Sequence, residues 1–175
     1  MKPLLMGILL SVFFVAPASA QQQKIGHFNL QQVVSQSEAG KQARELHGAR
    51  QRRYQEEIDQ RTTRLKELKG AIDTLAAGIK PGEAPPTALV EKDKEYGVQA
   101  RDLQRLTAGY QEELKVFDAE LTRKVVEEFA PVLDEYARKH GFDYILRAPE
   151  AMAFAAAKLD LTEILIKEFN TKRKK

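Results

Sequence analysis

From Lys41 to His140 the apolar positions recur every three or four residues, as on one face of a helix, and no alternating Val/Ile/Thr-rich run interrupts them. The pattern breaks once, at Gly78-Ile79-Lys80-Pro81-Gly82-Glu83-Ala84-Pro85-Pro86. Two helical arms around a proline-glycine tip follow: one opening after Ser37, a plausible N-cap, and running to Ile79, the other from Thr87 to His140 with Gly141 as its C-cap. Pro131 should kink the second arm, because proline removes one helical hydrogen bond.

Each arm has a single apolar seam. In the first, Ile58, Leu65, Ile72 and Ile79 repeat every seven residues; in the second, Leu89, Tyr96, Leu103, Tyr110 and Phe117 do the same. Folding the chain at its tip sets Ile79 against Leu89, Ile72 against Tyr96, Leu65 against Leu103 and Ile58 against Tyr110. Leu68 then meets Ala100, and Tyr54 meets Leu114. This is the pattern of an antiparallel coiled coil, whose register a long tip can shift by one helical turn. Toward the base the first seam turns polar at Gln51, His47 and Arg44, facing Phe117, Leu121 and Lys124, so the arms should part there. Gly48, Gly70, Gly97 and Gly109 each cost roughly 1 kcal/mol against alanine in a helix and mark the arms as able to bend.

Short β segments flank the hairpin. Lys24 to Asn29 reads as a strand followed by a helical turn over Leu30 to Ser35. Phe142 to Arg147 reads as a second strand, Ala151 to Ala156 as another, and Glu163 to Asn170 as a closing helix. A lone chain would leave these strand edges open, which proteins rarely tolerate. A body in which further copies of the chain cover these edges and bury Ile25, Phe28, Phe142, Tyr144 and Leu146 is therefore expected. The chain divides into a leader over 1–20, body segments over 21–37 and 141–170, an arm over 38–140 with its tip at 78–86, and a frayed basic tail over 171–175.

Composition sharpens this picture. Lys2, the apolar run Leu4 to Val15 and Ala18-Ser19-Ala20 form an export signal with cleavage expected near Ala20, which fits a protein of the cell envelope. There is no cysteine, so disulfides and thiolate metal sites are excluded. The 28 basic and 25 acidic residues nearly balance, and Lys2 leaves with the leader; mixed charge along helices reads as a solvated face rather than a nucleic-acid surface. His27, His47 and His140 are scattered without metal-ligand spacing, so no cofactor or metal is implied. Glu56-Glu57, Glu112-Glu113 and Glu127-Glu128 look like paired acids, but adjacent helical residues diverge by about 100°. No nucleophile elbow or phosphate loop occurs, and an enzyme is not expected. The aromatic positions serve either the seam or an exposed binding surface; Phe117, Leu121 and Phe129, near the polar base, are the candidates for facing a bound partner.

The layout resembles the Skp/OmpH family of periplasmic chaperones. The resemblance rests on Ile25-Gly26-His27-Phe28-Asn29 with Val33, on Ser37-Glu38-Ala39-Gly40-Lys41, on Pro131-Val132-Leu133 with Ala137 and Gly141 to Leu146, and on Leu159-Asp160-Leu161-Thr162 before an Ile/Leu/Phe helix. It implies an α+β, mostly helical fold. Three subunits would pool their strands into a small β-barrel body, with C-terminal helices outside and three coiled-coil hairpins below. It also implies an ATP-independent holdase whose partners are unfolded outer-membrane β-barrel proteins. The family's basic arm surface is only partly matched. Lys41 to Lys69 carries nine basic and five acidic residues, and Ala88 to His140 nine and twelve, so contact with acidic lipid is expected to be weak. A structural spacer or docking hub of the envelope is the alternative reading of the same hairpin.

Overall fold

The computed structural model describes residues 23–148 and 154–173. The expected leader and cleavage site lie outside them. Strand β1 (Ile25–Asn29) leads into α1 (Leu30–Gln36) and the first arm, α2 (Glu38–Ala77). The return arm α3 (Thr87–His140), strand β2 (Tyr144–Ala148), a 3-10 turn (Ala157–Leu159) and α4 (Thr162–Arg173) follow. At 1.5 Å per residue, the 40 residues of α2 extend roughly 60 Å. The 54 residues of α3 run further because their last turns enter the body.

Local chemistry sets the helix ends. Asn29 Oδ1 accepts from the Gln32 N–H at 3.1 Å, starting α1. At the other end of α1 Ser37, fully buried, stops that helix and starts α2: its N–H donates to the Val33 carbonyl, and its Oγ accepts from the Gly40 N–H at 3.1 Å. A side chain at Gly40 would lie 1.6 Å from the Val34 carbonyl oxygen, so the tight α1–α2 corner requires glycine. At the far end of α3, Gly141 adopts φ 65°, and the Phe142 N–H returns to the Ala137 carbonyl at 3.0 Å, closing the helix in the left-handed manner. The helix continues through Pro131 rather than being interrupted there.

The hairpin is one long connection between β1 and β2, and this is why the two strands can pair in parallel. Ile25 stands opposite Tyr144, His27 opposite Leu146 and Asn29 opposite Ala148. On the other side of β1, His27 bridges Asp160, with the Leu161 N–H donating to the His27 carbonyl at 2.8 Å. Lys24 fastens the corner. Its N–H donates to Asp143 at 2.6 Å, and its Nζ donates to the last α3 carbonyl, at His140, at 2.7 Å. A cation at that helix end is favoured by the dipole.

The core lies where α1, the base of α3 and α4 cover the inner face of β1. Phe28, Val33, Ala39, Val125, Phe129, Val132, Leu161, Leu165 and Phe169 form it. Phe129 is central, with ring centroids 5.5 Å from Phe28 and 5.6 Å from Phe169. Two expectations are corrected here. The third strand expected over Ala151 to Ala156 lies partly outside the described residues, and its described part, from Phe154, has no regular structure. The basic tail is not frayed along its whole length. α4 reaches Arg173, which bonds Glu128 of α3 and Gln42 of α2, while Lys172 pairs with Glu135. These links bind the end of the chain to both arms' roots.

Candidate functional site

Two surfaces remain once the core is assigned: the interface of the arms and the outer face of the sheet. Between Lys41 and Lys124 only Ile72 is buried. Tyr54, Ile58, Leu65, Leu68, Tyr96, Leu103, Tyr110 and Leu114 are half-buried, as are Ile79 and Leu89 nearest the tip. Two helices without a third layer shield one stripe each and nothing more, so this is the burial that such a seam reaches.

Midway along, the helical alignment did not anticipate the contact that forms. It set Tyr54 against Leu114 and Tyr110 against Ile58. The rings of Tyr54 and Tyr110 stack on each other, 3.9 Å between centroids and 3° from parallel. Each hydroxyl donates to a glutamate of the opposite arm, Tyr54 to Glu113 at 2.5 Å and Tyr110 to Glu57. Arg61 donates to the same Glu57 carboxylate at 2.8 and 3.1 Å. The bonded carboxylates raise both phenols above their ordinary pKa of 10.0. The Tyr110 hydroxyl, and after it Arg61, lower that of Glu57. Apolar spacing carries no sign of these crossed bonds. The only trace is that each tyrosine has a glutamate three residues further along its own arm.

Toward the base, Arg50 places its guanidinium 3.5 Å from the Phe117 ring centroid. Such a contact shields the ring while keeping the charge in water. Phe117 is thus covered by a neighbour that the pairing with Gln51 missed, and Leu121 is half-buried. Phe129 does not belong with them. At 2 % exposure it is the hub of the core, and no client-side surface includes it. The exposed apolar residues of this region are Leu46 and Val116, at 57 % and 50 %. Both were missed because neither lies on the seven-residue repeat.

The sheet and the turn before β2 divide the five residues expected in the body between an inner and an outer face. Phe28 points into the core and Phe142 packs against it, stacked on Tyr136. Ile25, Tyr144 and Leu146 stand 40 %, 55 % and 49 % exposed on the outer face, so a single chain does not bury them. The edge of β2 away from β1 has no strand partner among the described residues.

Four of the six paired acids hold structural bonds. Besides Glu57 and Glu113, Glu127 bonds Arg123 and Glu128 bonds Arg173. The His140 ring packs on Tyr136 at 4.3 Å, and Lys24 Nζ donates to its terminal carbonyl. Among the described residues no His/Cys/Asp/Glu cluster could hold a metal, and no helix is long and apolar enough to cross a membrane.

A protein-family model described as outer membrane protein (OmpH-like) matches residues 24–169. Among solved structures, the chain is similar to a Caulobacter crescentus protein described as an outer membrane chaperone (OmpH-like). The TM-score is 0.76 at 17% sequence identity, over 86% of this chain and 85% of that one. No curated protein matches it. The matched span covers both strands, both arms and α4 as far as Phe169, and the chain belongs to the outer membrane protein (OmpH-like) family.

Proposed function

We propose that this protein is an ATP-independent periplasmic holdase: a homotrimer whose three hairpins enclose unfolded outer-membrane proteins and keep them from aggregating. The observation that carries the reading is the pair of half-buried arms that leave the body at their roots and enclose no core of their own. Such arms offer a client many weak contacts, whose combined avidity exceeds any one of them. Confinement between them keeps the strand edges of one client away from those of the next. The chaperone description of the similar Caulobacter chain supports the same reading.

The outer sheet face supports assembly. Ile25, Tyr144 and Leu146 form an apolar surface beside an unpaired edge, as expected where further copies of the chain close a shared body. Native mass measurement should give three chains. Leu146→Asp should release folded single chains, because it charges the outer face without touching the core. A wild-type monomer at micromolar concentration would overturn the trimer.

The holdase is tested by light scattering while an unfolded outer-membrane barrel is diluted from denaturant. Suppression at one trimer per client is expected; unchanged scattering would overturn the holdase in favour of a spacer or docking hub. The spacer reading draws on one observation of its own, the tyrosine contact that ties the arms together midway.

A further inference from the structure

We propose that Tyr54 and Tyr110 form an oxidative modification site, at which a one-electron oxidant joins the two arms through an intrachain dityrosine bond. The chain has no cysteine, so thiol oxidation cannot cross-link it. The tyrosine pair supplies another route. Aromatic pairs ordinarily prefer offset or edge-on arrangements. Here the rings lie 3.9 Å apart and 3° from parallel. In a phenoxyl radical the unpaired electron occupies lobes above and below the ring, with high density on the carbons ortho to oxygen. Face-to-face stacking aims those lobes at each other.

The hydroxyl partners suit the first step. Loss of an electron makes a phenol strongly acidic, and here a carboxylate from the opposite arm waits on each hydroxyl, Glu113 on Tyr54 and Glu57 on Tyr110. Arg61 keeps Glu57 in place and ionised. Each phenol passes one electron to the oxidant and one proton to its carboxylate. The two radicals combine, ortho carbon to ortho carbon. Each coupled carbon then releases its hydrogen as a proton while the ring oxygen regains one, restoring two phenols. In total two electrons and two protons leave, and the chain becomes lighter by two hydrogens.

Geometry selects this pair. Tyr136 packs against His140 and Phe142, and neither Tyr96 nor Tyr144 has a tyrosine ring contact among the described residues. Both rings of the site are half-buried on a slender hairpin, within reach of an oxidant in solution. The bond would fix the arms' spacing from this level to the tip. The site does not depend on the chaperone reading.

The test exposes the full chain, as an equal mixture of unlabelled and isotope-labelled protein, to photo-excited tris(bipyridyl)ruthenium(II) and persulfate. Dityrosine fluorescence, a chain lighter by two hydrogens, and a cross-linked peptide pair containing Tyr54 and Tyr110 are expected, with both peptides unlabelled or both labelled. Tyr54→Phe and Tyr110→Phe should each abolish that peptide pair, while Tyr144→Phe leaves it unchanged. Glu57→Gln should lower the initial yield by about tenfold, because an amide cannot take the proton. Circular dichroism confirms that each variant keeps its helices. Peptide pairs of mixed label, equal coupling through other tyrosines, or oxygenated tyrosine as the sole product would overturn the site.

Discussion

The body and the arms are built from similar residues and hold together differently. At the base, Phe129 meets Phe28 and Phe169 and is buried to 2 % exposure by elements from three parts of the chain. Out on the hairpin, the best-shielded side chain, Ile72, is only one position of a two-helix seam whose other members are half in water. A core withdraws its residues from solvent on every side. A hairpin withdraws one stripe, and must supplement it with stacked tyrosines, a guanidinium over a ring and ion pairs along each helix. The arms therefore keep their helices while carrying little burial.

The difference should show most strongly in truncations. Phe129→Ala is expected to cost about 3–5 kcal/mol and to unfold the body cooperatively. Ile72→Ala should cost nearer 2 kcal/mol, the low end for a buried aliphatic, since a two-helix seam closes around the gap more readily. Urea unfolding with hydrogen exchange checks both. The loss of protection in Ile72→Ala should be confined to the arms; if the body loosens equally, arms and body are one cooperative unit.

A glycine comparison sharpens the contrast, because one substitution should change sign between the regions. Gly40→Ala drives a methyl into the Val34 carbonyl oxygen and should destabilise the α1–α2 corner by about 1–3 kcal/mol. Gly70→Ala meets nothing within 4 Å and should stabilise the arm by roughly 1 kcal/mol. Thermal unfolding of the two variants reads both signs. Extending the change to Gly48, Gly97 and Gly109 should stiffen the arms and narrow the range of client sizes protected. Protection of small and large barrels as well as by the parent would remove arm flexibility from the mechanism.

The smallest effect concerns pH. Glu57 has its pKa lowered from 4.5 by the Tyr110 hydroxyl and then by Arg61. Its contribution to arm pairing is therefore complete above the ordinary value and fades as pH falls through the lowered one. The Glu57 side chain is 41 % exposed, so solvent screens it and the change should be slight. Comparing arm opening by spin-label distances across this acid range in the wild type and Glu57→Gln isolates it: only the wild type should respond through this group.

The parts of the molecule legible in its residues are those decided within a helical turn or two. The seven-residue spacing from Ile58 to Ile79 and from Leu89 to Phe117, the cap at Ser37, the left-handed Gly141 and the proline-glycine tip each act on neighbours along the chain, so they appear as local patterns. What stands opposite a side chain is set by other means. Phe129 fits the apolar pattern equally well as client surface or as core, and it became core because α4 and β1 close over it. Tyr54 stacks on Tyr110, and Arg50 covers Phe117, across two helices whose side-chain partners the spacing of apolar residues leaves open. Lys172 and Arg173 resembled a loose tail until α3 placed Glu135 and Glu128 within reach. The parallel pairing of β1 with β2 spans the whole hairpin, and only the return of α3 to the root of α2 brings those strands together. Periodicity is a property of neighbours in sequence, whereas burial and partnership are properties of neighbours in space.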